Sequence, residues 1–396
     1  MPQGTTRAPQ SGAQNNMELT LSLIEWEEDD YSERDTGLIV HIGTETLYYV
    51  ITFKRLNTGN MCTAGETHIV DNGDGTKDEI HIFKYDPSND TGGQTVYNFI
   101  AYEDLTGVRV LVVAGGGAGG DNNQNGNSAW CGAGGGAGGL YYASLGNIGF
   151  GEYSVKTGRG GTGITSSNFG GSGVNSSLNG ISGVNSNLNI NMRGGGGGSK
   201  KTNFGDGFGN SGGSGGGSTR GAEGGSVING SVTGAPLQQP HGYIGGSGAW
   251  WPRTDNANSG FAWYGANKGG GGGGAGAKGS DGGNGNGSAV RTAGGGKGRT
   301  WADIGDIISP AMLGLPETLA GIAGGGNANS DPLVYNRTDP NRGGGAFGGG
   351  LFADNSLIGT ERDGINGTGG GGAIFGAGGS GGDGIVILRF NYHDAL

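Results

Sequence analysis

The stretch Val110-Leu-Val-Val-Ala-Gly-Gly-Gly-Ala-Gly-Gly120 decides how this chain is built. Its first four residues are apolar and mostly β-branched, the composition of a strand that needs burial. The residues after Val113 carry nothing larger than a methyl group. The change of material at this point is general. Residues 1–110 hold 11 of the 100 glycines, and from Leu111 onward nearly one residue in three is glycine. An average protein uses about 7%.

Such a chain stays unfolded or folds through its bare backbone. Collagen is excluded, because glycine does not recur at every third position and only 10 prolines are present. A flexible Gly/Ser linker is a poor match. Leu140-Tyr-Tyr142, Tyr153, Ile164, Phe169, Ile190 and Phe375 recur through the tracts, and linkers lack such residues. The extended three-residue-per-turn helix has no internal hydrogen bonds, so its N–H and C=O groups need partners at the side. Without Cβ atoms, neighbouring helices come close enough to supply them. We therefore expect a packed bundle of polyglycine-II helices. A second apolar strand, Gly384-Ile-Val-Ile-Leu-Arg-Phe390, should lie beside Val108–Val113 and close the region at one end.

The N-terminal part reads differently. Met17-Glu-Leu-Thr-Leu-Ser-Leu-Ile24 alternates with period two, the pattern of a half-buried strand. Leu38–Ile42 and Leu47–Phe53 flank a turn at residues 43–46. His68–Val70 and Glu79–Phe83 flank Asp71-Asn-Gly-Asp-Gly75, and Thr95–Tyr102 adds a further strand. Helical periodicity is absent. The expected organisation is an N-terminal arm over 1–16, a β-rich assembly domain over 17–107, and a glycine-rich domain over 108–396. The fold class is all-β followed by packed polyglycine-II helices. The acidic excess is confined to the N-terminal part. Residues 1–110 carry 18 acidic and 7 basic side chains, whereas the remainder carries 16 of each. No basic stripe exists, so nucleic acid is not an expected partner.

Several ordered blocks resemble the glycine-rich modules of phage tail fibres and tail adhesins. They are Val110–Gly120, then Gly134-Gly-Gly-Ala-Gly-Gly-Leu-Tyr-Tyr142 and Gly151-Glu-Tyr-Ser-Val-Lys-Thr-Gly-Arg-Gly-Gly161. Val174–Ile181 with Gly194–Gly198 and the closing Gly376–Phe390 follow. The resemblance covers about residues 108–390. It is similar in particular to the tip adhesins of T-even-like long tail fibres, and locally to the glycine-rich domains of the anaplastic lymphoma kinase type. It implies a virion subunit, made in the host cytoplasm and exposed on the particle. Its partners would be other virion proteins through the N-terminal domain, and a host surface protein or polysaccharide. A homo-oligomer, with a trimer favoured, is implied as well.

Chemical motifs are sparse. Gly-x-Gly-x-x-Gly strings arise from composition alone, without the strand, helix and acid that a dinucleotide site needs. Asp71–Gly75 lacks the register of a calcium loop and reads as a turn. The five histidines and the two cysteines, Cys62 and Cys131, show no metal-ligand spacing, and both cysteines are expected as free thiols. No cofactor, metal or catalytic residue is expected. A surface-polysaccharide depolymerase would need a carboxylate pair that nothing places. Met1–Asn16 has no apolar core of a secretory leader, and no stretch is apolar and long enough to predict a membrane span. The aromatic interruptions are the receptor-binding candidates: Tyr243, Trp250, Trp251, Arg253, Phe261, Trp263, Tyr264, Trp301 and Tyr335. Trp and Tyr supply rigid contact area to sugars and proteins. Alternatively, the same residues cap the bundle or pack against a sister subunit, in a purely structural decoration or filament protein. An ice-binding face of stacked glycine helices is the remaining reading, disfavoured by the charged residues.

Overall fold

The computed structural model describes residues 31–42, 45–56, 62–63, 65–120, 132–163, 169–183, 185–199, 209–218, 225, 228, 230–233, 243–244, 271–276, 279, 294–327, 344–350, 362–375 and 377–392. Contacts divide the chain into two units, Met1–Met61 with His393–Leu396 and Cys62–Tyr392. Among the described residues no helix reaches seven residues, and the architecture is all-β as expected.

The first unit contains one long hairpin. β1 (Tyr31–Ile42) pairs antiparallel with β2 (Glu45–Leu56), in a register running from Ile42 opposite Glu45 to Tyr31 opposite Leu56. The alternating Met17–Ile24 segment lies outside the described residues.

The second unit opens with β3 (Cys62–Thr63), β4 (Glu66–Asp71) and β5 (Lys77–Lys84), followed by β6 (Gln94–Ala101) and β7 (Leu105–Val113). β8 (Leu140–Ile148), β9 (Gly151–Gly158), β10 (Ser176–Gly180), β11 (Asn189–Met192), β12 (Ser231–Thr233) and β13 (Tyr243–Ile244) come next. Two two-stranded pieces belong to the later chain, β14 (Arg299–Thr300) with β15 (Gly321–Ile322), and β16 (Ile374–Phe375) with β17 (Ala377–Gly378). β18 (Ile385–Tyr392) ends the unit. The turn Asp71–Gly75 joins β4 to β5. The Asp71 carboxylate accepts from the Gly73 N–H at 2.8 Å, and Asp74 accepts from the Thr76 N–H at 2.9 Å. Both acids are used in holding the turn.

Two six-stranded sheets result, in the orders β12-β11-β10-β9-β6-β3 and β13-β8-β7-β18-β5-β4. β7 and β18 pair antiparallel with Val113 opposite Ile385, as the two apolar strands flanking the glycine region led us to expect. Between the sheets lie Phe83, Phe99, Tyr153 and His81. Phe83 meets Phe99 edge-on at 6.0 Å, and His81 stacks on Phe390 at 5.7 Å. Burial pushes the Tyr153 hydroxyl up to about 12, and that hydroxyl donates to the Gly149 carbonyl at 2.6 Å.

The expected domain boundary at 107/108 is corrected by this pairing. β7 runs through it, and β5 from before it pairs residue for residue with β18 from the end of the unit. β6 likewise pairs with β9. The reason is physical. Strands buried on both faces, such as β5 and β18, cannot complete a core from residues 62–107 alone, so they recruit partners across the glycine region.

From the sheets the chain runs into the glycine body, which is organised by hydrogen bonds with a period of three. Ala114, Gly117 and Gly120 donate to the carbonyls of Gly139, Gly136 and Ala133, at 2.8–2.9 Å. Gly115 and Ala118 donate to Val174 and Gly171, while Gly116 and Gly119 donate to Gly382 and Gly379. On the other sides of this stretch, the carbonyls of Gly115 and Ala118 accept from Gly195 and Gly198. Those of Gly116 and Gly117 accept from Gly161 and Gly372. Successive residues thus address different neighbours, and the backbone is satisfied laterally rather than along one ladder. A Cβ added to Gly116, Gly117, Gly135, Gly196 or Gly272 would come nearer than 3.0 Å to a neighbouring backbone carbonyl. Glycine is required there by close approach.

Candidate functional site: the far end of the glycine body

The hydrogen-bond register gives every glycine stretch a direction. Ala114, Gly139, Gly158, Arg193 and Gly384 adjoin strands and mark the sheet end of the body. Gly120 with Ala133, Gly170 with Gly198, and Ser199 with Gly217 mark the opposite end. The described residues on both sides of 121–131, 164–168, 200–208, 219–224, 280–293 and 351–361 lie toward this far end. The described stretches that flank these six segments therefore end, and begin again, toward the far end. In sequence these six segments hold Asp121-Asn-Asn-Gln-Asn125, Trp130, Lys200-Lys201, Phe204, Phe208, Arg220 and Phe352. Phe169, which opens one returning stretch, is 39% exposed.

The receptor-binding candidates read from sequence are distributed otherwise. Trp250, Trp251, Arg253, Phe261, Trp263, Tyr264 and Tyr335 lie outside the described residues. Tyr243 is in β13, opposite Tyr142 at the edge of a sheet. The segment 245–270 starts from that edge strand and ends at Gly271, toward the far end of the body. The segment 328–343, which holds Tyr335, starts at Asn327 near the far end. It ends beside Ala346, whose carbonyl accepts from Ala320 near the sheet end. The described residues that flank these two segments lie toward opposite ends, unlike those that flank the six.

Trp301 is fully placed. It caps a short 3-10 turn over Ala302–Ile304, and its indole N–H donates to the Leu319 carbonyl at 2.7 Å. Half-buried, it packs against a core that includes Ile80, Ile82, Leu111, Ile304, Ile307 and Ile387. Its ring is committed to covering the outer face of a sheet, the capping alternative raised by the sequence.

An ion-pair cluster pins that cover. Asp78, 6% exposed at its side chain, accepts from Arg109 at 2.8 Å and from Arg389 at 2.6 Å. Arg389 also donates to the carbonyls of Asp306 and Ile307, each at 3.3 Å. A second buried pair, Glu79 with His81 at 2.7 Å, lies between the sheets. At the sheet end of the body, Asp383 accepts from the Gly160 N–H at 2.7 Å. Burial raises its carboxyl above the ordinary range, against the lowering effects of that hydrogen bond and of Arg159. These groups are tied into structural contacts. Among the described residues no cluster of three His, Cys, Asp or Glu side chains could hold a metal ion. No helix there is long and apolar enough to cross a membrane.

Aromatic density in the sequence does not point to the far end. The available signal was the alternation itself, since glycine tracts repeatedly flank a polar, Asn- and Ser-bearing interruption. No protein-family model matches the chain, and no curated protein is similar enough to count as a relative.

Proposed function

We propose that this chain is a non-enzymatic virion fibre or tail adhesin subunit that presents the far end of its glycine body to the host surface. The observation that carries this reading is that the described residues flanking six separate segments lie toward one end of a densely cross-bonded body. Such a platform would hold polar segments together without relying on their own stability. Many copies on a particle would turn weak single contacts into firm attachment. We further propose that the stretches adopt polyglycine-II geometry, which the period-three lateral bonding supports. The sandwich end would face the rest of the particle.

The test exchanges side chains at the far end while leaving the lattice alone. Replacing 200–208 and 351–361 by Gly/Ser segments of equal length should abolish adsorption of the subunit-bearing particle to its host and leave the thermal transition unchanged. Adsorption that survives both replacements, and also the deletion of 243–264, would overturn the attachment role. A structural decoration protein without a receptor is the second reading. It is favoured by Trp301, the one fully described aromatic candidate, because that ring is spent on packing.

A further inference from the structure

The two outer faces of the sandwich are built for different neighbours. The face formed by β5, β7 and β18 is apolar and takes Trp301, Ile304 and Ile307 as its cover. Among the described residues, the outer face of the other sheet is polar and open, with Asn98, Asn189, Ser231 and Thr233 exposed. Its inward positions are held by Phe99, Tyr153, Val155, Leu178 and Ile190, all fully buried, so the intervening residues point outward. The register aligns those outward residues across five strands. Asn98 stands opposite Ser154, Ser154 opposite Asn179, Asn179 opposite Asn189, and Asn189 opposite Thr233. A second row, two residues along each strand, runs through Lys156, Ser177, Asn191 and Ser231. At a strand spacing of about 4.8 Å the first row is about 19 Å long, and roughly 6.6 Å separates the two rows.

Asparagine is depleted in strands, yet Asn98, Asn179, Asn189 and Asn191 share this one face. Solvation alone would be served as well by Thr or Lys. A break with local propensity, repeated on one face, marks a surface kept for something other than folding. Two of the amides also have capacity to spare. The Oδ1 atoms of Asn179 and Asn191 have no hydrogen-bond partner. Both side chains are half-buried, and a turn about the broad terminal torsion brings such an oxygen to the surface.

The chemistry of the two rows selects the ligand class. Each amide offers two donors and an acceptor, and each hydroxyl offers both. Such a surface matches the neighbouring hydroxyl groups of a sugar chain, which themselves donate and accept. Lys156 is the one charged side chain in the two rows, so a charged polymer finds no line of counter-charges there. We propose that the outer face of β6, β9, β10, β11 and β12, centred on Ser154, Asn179 and Asn189, binds a neutral polysaccharide laid across the strands. The inference is independent of attachment through the far end, since it uses another surface and is tested on the free chain.

Isothermal titration of the full chain against dextran, mannan and cello-oligosaccharides tests it, with heparin as the anionic control. At least one neutral glycan is expected to bind with a Kd below about 1 mM, and heparin is expected not to displace it. Asn179→Val combined with Asn189→Val should weaken that binding at least roughly tenfold. Valine suits a strand better than asparagine, so Tm should not fall. Asn98→Lys, at the exposed end of the row and outside the core, should weaken binding as well and serves as a second variant. Replacing 200–208 by a Gly/Ser segment should leave the Kd unchanged. Failure of all three neutral glycans to bind would overturn the proposal, as would tighter binding of heparin or binding that survives the substitutions on the sheet. Loss of binding on replacement of 200–208 would place the sugar at the far end and overturn the sheet site.

Discussion

The sandwich and the glycine body are two solutions to one problem, the satisfaction of a buried backbone. In the sandwich the strands pair with two neighbours in a plane, and large side chains such as Phe83, Phe99 and Tyr153 fill the space between planes. In the body each stretch bonds to neighbours all round it, and no space remains for a side chain to fill. The comparison teaches that the two regions should respond to mutation with opposite signs of volume. The sandwich should suffer when atoms are removed, and the body when they are added.

The largest effect is expected from Gly135→Ala. Its new methyl would abut the Gly117 carbonyl, which is fixed backbone, so the neighbouring stretch must move. A loss above about 4 kcal/mol is expected, in the range reserved for gross core damage. Denaturant unfolding, or simply the yield of soluble chain, reads it. A neutral outcome would break the comparison outright. Next comes Phe99→Ala between the sheets, where an empty ring site should cost about 3–5 kcal/mol. Phe99→Leu should recover much of that loss, whereas no conservative residue should rescue Gly135.

Electrostatics sharpen the contrast further. Asp78→Ala leaves Arg109 and Arg389 without their shared carboxylate beneath the 301–313 cover, and about 3 kcal/mol should be lost. The smallest effect is at Asp383, where body meets sandwich. Its carboxyl is raised in the folded chain, chiefly by burial, so the folded state holds the proton more tightly than the unfolded state does. The associated stability is present at low pH and is lost as pH rises from the ordinary value of 3.8 through the raised one. Asp383→Asn keeps an oxygen for the Gly160 N–H and cannot ionise. The variant should lack this decline, so its melting temperature relative to wild type should increase across that window. A parallel pair of melting curves would remove Asp383 as a titrating site.

The strands legible in the sequence were those with strong periodicity or apolar runs. Leu38–Ile42, Leu47–Phe53, Glu79–Phe83, Val108–Val113 and Ile385–Phe390 all fall inside observed strands. The pairing of Val108–Val113 with the closing strand was legible too, since two strands so apolar need shared burial. The position of the domain boundary was not. Leu140–Ile148 and Gly151–Gly158 look like interruptions of a glycine tract, yet they complete both sheets. The candidate site was legible only in part. Trp301 stands out in sequence because tryptophan is rare here, but what it covers depends on where Ile80, Ile82 and Ile387 come together.

By itself the sequence determined the material of this protein. Periodicity without helix gave an all-β chain, and the loss of side chains after Val113 required backbone-to-backbone packing. Only the tertiary structure decided which stretch bonds to which, and hence which stretches end toward the far end. The physical reason is that glycine tracts are nearly identical to one another, so they carry no side-chain pattern to select a partner. Their neighbours are chosen by the strands that deliver them, and those strands are arranged by a core assembled from residues as distant as Ile80 and Ile387.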